Sequence, residues 1–274
     1  PGAQAYYDSV FRLLAEWGVD YVKVDDIVPY PREIRAVADA LARCGRPMRL
    51  SLSPGDLTCV AHLPDYRRAN ALRVTADVWD RRSDLAKGLD ALQHWQGQEL
   101  PEFAIDLDMI PFGALTVWRD HDAGMGERPL LYGKGVRRQS DFTPAQKRSF
   151  IAQRALAGSP LFMGGHLPET SDEDFDLLTN PTVLACQANA TMANATARGD
   201  GWVAFKVAAR QQKSQGWLAV FNTTASPLQI PASSRSFDLQ AEVTVRDAWT
   251  NKRHSLPCEI NLAEDDVWFA RYER

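Results

Sequence analysis

The chain is poor in residues that organise metals and disulfides. Its four cysteines, Cys44, Cys59, Cys186 and Cys258, are widely spread and form no CxxC pair. That excludes a zinc ribbon or disulfide-dense scaffold and reads as isolated buried thiols. Its five histidines (62, 94, 121, 166, 254) avoid the ends of the strand-like segments, His166 excepted, which argues against a zinc-type hydrolase. No apolar run approaches the roughly 20 residues that cross a bilayer, and no signal peptide is visible. The chain opens on Pro1, which reads as a cut or processed start. Neither GxGxxG nor GxxxxGK[ST] occurs, which removes the usual dinucleotide and phosphate-loop readings. Net charge is −4 with dispersed basic residues, leaving no electrostatic footprint for nucleic acid.

What is present is an ordinary globular composition, 45% hydrophobic, with eight tryptophans in 274 residues. Tryptophan can wall a sugar site, but core filling is its more frequent use. Residues 5–17 carry apolar side chains at helical spacing and stop at Gly18. An alternating, β-branched DYVKVDD follows. Residues 31–43 read as a helix closed by Cys44-Gly45, RLSLS (49–53) as a strand, and 57–69 as a short helical stretch. ALRVTAD (71–77), helix 82–95 and FAIDLDM (103–109) continue the alternation. A long polar loop over 114–142 leads to helix 143–157, which starts at Thr143-Pro144 and feeds SPLFMGG (159–165).

Each of five strand candidates is preceded by a helical pattern, the signature of a parallel sheet. Polar residues gather at the strands' C-terminal ends, where a (β/α)₈ barrel does its chemistry. Eight strands make a whole barrel, so the expectation is the last five strands of one, over residues 1–195, with three strands missing upstream. Residues 196–274 change character. GWVAFKV, GWLAVFNTT, LQI, AEVTVRDAW and DVWFARYE alternate between turns, predicting an antiparallel β-sandwich. Trp202, Trp217, Trp249 and Trp268 fall in these segments and read as core residues.

The strand ends suggest glycosidic chemistry. Retaining cleavage needs one ionised carboxylate to attack and one protonated carboxyl to release the leaving oxygen. Asp25 and Asp77 end segments two strands apart. Lys23 shares a face with Asp25 by strand alternation, and Arg73 is assigned to the face of Asp77 in the same way. Ser51, Ser53, Asp106 and Asp108 add to one rim. A Mg²⁺ site built from Asp25, Asp26, Asp106 and Asp108 is the main chemical rival, although the charges of Lys23 and Arg73 would repel a cation.

On these residues the chain resembles glycoside hydrolase family 27, the α-galactosidase family, from about residue 5 to the C-terminus. WGVDYVKVDD resembles the family's nucleophile strand, which implies Asp25 as nucleophile. LRVTADVWD resembles the segment whose Arg holds the sugar and whose Asp is the acid/base, implying Arg73 and Asp77. DLDMIPFG resembles a pocket motif, implying Asp108 and Met109 as sugar contacts alongside Lys23 and Ser53. SPLFMGGHL, LLTNPTVLACQ and VRDAW fit the last strand, its helix and the C-terminal sandwich.

The sequence departs from the family in three places. Ser53-Pro54-Gly55 stands where the family carries Cys-Glu-Trp, and Ile27 stands where a Cys commonly follows the nucleophile. The family's first two strands, with an acidic pair for ring hydroxyls, would lie before Pro1. The resemblance implies an exo-acting retaining hydrolase of terminal α-D-galactosyl residues on an oligosaccharide or galactoside, with no cofactor and no metal, in an extracytoplasmic setting. β-L-Arabinopyranosidase is the neighbouring alternative, and a non-catalytic carbohydrate-binding protein the alternative of another class.

Overall fold

The computed structural model describes residues 2–27, 30–55, 57–98, 102–117, 136–189, 191–240, 243–256 and 258–273. Two compact units are formed, Pro1–Asp77 with Gln98–Asp108, and Val78–Gly97 with Met109–Arg274.

In the first unit α1 (Gly2–Glu16) leads to β1 (Tyr21–Asp25), α2 (Pro31–Arg43) to β2 (Arg49–Ser53), and a 3₁₀ turn with the short α3 (Leu63–Tyr66) to β3 (Ala71–Arg73); β4 is Ala104–Asp106. The strands pair in the order β1-β2-β3-β4, all parallel. Local chemistry sets the boundaries. Gly18, at φ +78°, takes the left-handed position that ends α1. Its amide and that of Val19 donate back to Ala15 and Leu14 at 3.0 Å, which turns the chain into β1. Pro31 opens α2, whose buried stripe is Ile34, Val37 and Ala40. Flanked on both sides, β2 buries Leu50 to Ser53, whereas β1 lies at one end of the sheet with Tyr21 43% exposed.

Several segments are shorter than their sequence pattern. The strand expected over 71–77 ends at Arg73. After one more ladder bond, from Val74 to the Asp106 carbonyl, the chain bends at Thr75 and Ala76. The strand expected over 103–109 is only Ala104–Asp106, because Asp108 adopts φ +69° and leaves the pleat. SPLFMGG forms no strand of its own. Met163 makes one parallel bridge to Ile110, so the described parallel sheet has four strands, not five.

In the second unit α4 is Arg82–Trp95. The expected loop over 114–142 contains an antiparallel ribbon, β5 (Ala114–Val117) with β6 (Val136–Gln139); residues 118–135, His121 included, lie outside the described residues. Next come α5 (Pro144–Ala157), α6 (Asp172–Leu178) and α7 (Pro181–Asn189). The Thr143-Pro144 start of α5 is a full capping box with Gln146, and Gly158 ends the helix at φ +61°.

The β domain follows: β7 (Asn194–Gly199), β8 (Trp202–Ala208), β9 (Gln215–Asn222), β10 (Leu228–Ala232), β11 (Thr244–Asp247), β12 (Arg253–Ser255), β13 (Cys258–Leu262) and β14 (Val267–Glu273). Six of these strands form one antiparallel sheet, β12-β11-β14-β9-β8-β7, and β10 pairs with β13 in a second. Ile230, Ile260 and Leu262 of the small sheet share a core with Leu218, Val220, Val245, Trp268 and Tyr272 of the large one. Trp217 and Trp268 are buried, and Trp202 packs on the same core. Trp249 donates from Nε1 to the Val267 carbonyl at 3.0 Å. All four tryptophans are spent on packing or internal hydrogen bonds.

The turn before β14 clamps the helices of this unit. Asp265 receives Arg82 of α4 at 2.8 Å and Gln146 of α5 at 3.0 Å. Asp266 receives Arg148 of α5 in a two-pronged contact of 2.7 and 3.0 Å.

Candidate active site

A single rung runs across the parallel sheet at its C-terminal edge. Asp25 is in register with Ser53, and Arg73 with Asp106. The two pairs are joined by a 2.6 Å hydrogen bond from Arg73 Nε to Ser53 Oγ. Ser53 and Asp106 are buried, and the Arg73 side chain is only 7% exposed. Its guanidinium nevertheless reaches the rim, where it meets three carboxylates. Nη1 donates to Asp77 at 2.8 Å and to Asp108 at 3.4 Å, and Nη2 lies 3.9 Å from Asp25. Lys23, two residues before Asp25, is also 3.9 Å from it, as strand alternation requires.

These contacts set the charges. The Asp25 carboxyl is held below the usual carboxylate value, first by a hydrogen bond from Ser53. Partial burial opposes this, and the charges of Lys23 and Arg73 and the Asp26 amide reinforce it. Asp25 is therefore a carboxylate at neutral pH, and its side chain is 64% exposed. For Arg73, burial works against the charged form. The hydrogen bond to Asp77 and the charges of Asp108, Asp77 and Asp25 outweigh it and lift its pKa above the ordinary arginine value.

The rim acids converge on a guanidinium. Asp106 is occupied differently, its Oδ1 accepting from the Asp108 amide at 2.8 Å and fixing the left-handed turn that aims Asp108 back at Arg73. Among the described residues no group of three or more His, Cys, Asp or Glu side chains is arranged to hold a metal ion.

Of the residues singled out in the sequence, Lys23, Asp25, Ser53, Arg73, Asp77 and Asp108 come together. Met109 belongs to the second unit, where its carbonyl accepts from Arg154 at 3.1 Å. A Cβ on Gly164 would lie 2.5 Å from Met109 Sδ, so any side chain there would have to displace the methionine. His166 faces Glu169 at 3.4 Å beside a cavity of about 350 Å³ lined by Arg137, Gly164 and Gly165. Ser51 and Asp26 stay outside the cluster. Ser51 is fully buried, and Asp26 is an exposed turn residue at φ +53°.

Gly55 carries a role that the residue pattern did not disclose. It has φ +68°, and a Cβ there would stand 3.0 Å from Arg73 Nη2 and 3.4 Å from the Thr75 carbonyl. The Pro54-Gly55 pair signals a turn, but nothing local says that the turn lies against the arginine.

No family model matches the chain. A β-L-arabinopyranosidase of glycoside hydrolase family 27 from Geobacillus stearothermophilus is 29% identical with a TM-score of 0.87, covering 100% of this chain and 62% of that one. An α-galactosidase from Oryza sativa is 24% identical over 189 residues, which is 68% of this chain and 39% of the rice protein. α-Galactosidase I of Mortierella vinacea, at 18% identity and TM-score 0.73, shares the fold over 98% of this chain and 71% of its own. The chain thus spans about two fifths of the α-galactosidases it matches in sequence. It carries a parallel α/β sheet with carboxylates on its C-terminal rim, followed by an antiparallel β domain. In sequence and fold the chain is similar to a glycoside hydrolase of family 27 and to α-galactosidases.

Proposed function

We propose that this chain is the C-terminal part of a retaining exo-glycosidase that removes terminal α-D-galactosyl residues, with Asp25 as nucleophile and Asp77 as general acid/base. The observation that carries this reading is the buried Arg73 guanidinium facing Asp25, Asp77 and Asp108 at one sheet edge. Residues 1–195 are then the last part of a (β/α)₈ barrel and 196–274 its C-terminal sandwich.

In the first step the Asp25 carboxylate attacks the anomeric carbon while Asp77 gives its proton to the leaving oxygen. In the second, Asp77 takes a proton from water, which attacks the same carbon and releases Asp25. Two such carboxyls stand about 5–5.5 Å apart in retaining enzymes. Lys23, Arg73 and Asp108 are the sugar contacts, and the buried Ser53 acts through Asp25 and Arg73. On sugar entry Arg73 exchanges its hydrogen bond to Asp77 for a ring hydroxyl, freeing Asp77 to carry the proton. The chemistry needs no cofactor.

β-L-Arabinopyranoside is the second substrate reading. It is favoured by the Geobacillus relative. Nitrophenyl α-D-galactopyranoside and β-L-arabinopyranoside, assayed in parallel, decide between them. The assay uses this chain and a version extended upstream by three strands, with proton NMR of the first-formed sugar. A net-inverted product would overturn the nucleophilic role of Asp25. Sugar binding without turnover in the extended form would favour a carbohydrate-binding protein.

A further inference from the structure

The large sheet of the β domain carries three arginines at one level on adjacent strands. Arg253 of β12 is in register with Arg246 of β11, and Arg246 with Arg271 of β14. Val245 and Tyr272, their neighbours in sequence, lie in the sandwich core. Alternation therefore puts the arginines on the opposite face of the sheet. Residues in register across antiparallel strands hold their Cβ atoms about 4.5–5.5 Å apart, and like charges in that position repel. The chain's own acids do little to relieve this. Glu273 lies 3.4 Å from Arg271, and among the described residues that is the ion pair these three guanidiniums make. Their remaining partners are neutral, with Asn251 Oδ1 3.0 Å from Arg246 and Gln215 Oε1 2.5 Å from Arg271.

The arginines line a cleft of about 540 Å³, within the range of small-ligand sites. Pro181 and Thr182, the first turn of α7, form its other wall. That is the positive end of the helix, although Asn180 already accepts its amides from Thr182 and Val183 at 2.9 and 3.2 Å. Three guanidiniums against one carboxylate leave an excess of two positive charges. Guanidinium forks match the oxygens of a tetrahedral oxyanion.

We propose that this cleft is a binding site for a dianionic tetrahedral oxyanion, either free phosphate or sulfate or the phosphate group of a phosphorylated sugar. It is separate from the carboxylate cluster of the first unit and does not depend on the activity proposed for that cluster.

The test measures thermal shift and calorimetric affinity of the 274-residue chain at constant ionic strength, with sodium chloride as the balancing salt. The probes are inorganic phosphate, inorganic sulfate, a hexose monophosphate and, as a monoanion control, glucuronate. Saturable stabilisation by phosphate or sulfate beyond chloride is expected, with glucuronate weaker. Arg246→Gln and Arg253→Gln should each weaken binding about tenfold or more. Glu273→Gln should tighten it severalfold, an effect that damage to the fold cannot imitate. Tighter binding of the hexose monophosphate would identify the ligand as a phosphorylated sugar, and equal binding would identify the free anion. Stabilisation no greater than chloride gives, or identical affinities in all three variants and the unaltered chain, would overturn the site.

Discussion

Gly55 leaves just enough space for Arg73: a single added carbon at position 55 would stand 3.0 Å from Nη2 of the guanidinium. The same glycine has φ +68°, where an L-residue costs about 1–2 kcal/mol. Gly55→Ala should therefore lower stability by about that amount and push Arg73 off its three carboxylates. Its kcat/KM on the nitrophenyl glycoside should fall by more than the loss of folded protein explains. Circular dichroism melts run beside the assay check both, and unchanged kinetics would show that Arg73 has freedom the contacts deny it.

The acid limb of the pH–rate profile follows from Asp25. Ser53 hydrogen bonding is the largest influence holding its pKa down, ahead of the charges of Lys23 and Arg73. Removing a stabiliser of the carboxylate raises its pKa, so the acid limb of kcat/KM should move to higher pH. Ser53→Ala should move it further than Lys23→Met. The opposite order would reverse the ranking of the two contacts.

Chelation should leave turnover intact, because a guanidinium stands where Asp25, Asp77 and Asp108 converge. Asp25→Ala should abolish it. Activity lost in EDTA and restored by Mg²⁺ or Ca²⁺ would replace the two-carboxylate scheme by a metal-assisted one, provided that melts in EDTA show no loss of fold.

Gly88 lies in α4, where alanine normally gains up to about 1 kcal/mol over glycine. Here a Cβ would stand 2.0 Å from Gln153 Oε1 and 2.9 Å from its Cδ, and Gln153 is fully buried in α5. Overpacking at such a contact costs about 1–3 kcal/mol, so Gly88→Ala should be net destabilising. Pairing it with Gln153→Ala should recover part of the loss, measurable as a non-additive double-mutant cycle.

The helices and the β domain were legible where one periodicity governed a whole segment. Pro31–Arg43, Arg82–Trp95 and Pro144–Ala157 match their apolar spacing and end signals almost residue for residue. The Lys23–Asp25 pair followed from alternation alone, since both lie within β1. Arg73 and Asp77 do meet, but not for the alternation first assigned. The strand stops at Arg73, and a bend brings Asp77 back. Likewise a left-handed turn aims Asp108, which alternation from Asp106 cannot foresee. The β5–β6 ribbon gives no strand signal because its second strand, VRRQ, has no apolar alternation. Gly55 escaped because its constraint comes from a side chain eighteen positions away in sequence.

The clamp at Asp265 and Asp266 ties the turn before β14 to α4 and α5 through Arg82, Gln146 and Arg148. Ser149, buried in α5, adds a 2.5 Å bond to the Asp265 carbonyl. The turn before β14 is thus wired into helices that precede it by more than a hundred residues in sequence. On a ribosome those helices emerge with these cations and the Ser149 hydroxyl unanswered, and the clamp closes only once Asp265 and Asp266 have been synthesised. A nascent chain halted short of Asp265 therefore holds α4 and α5 without these hydrogen bonds and ion pairs.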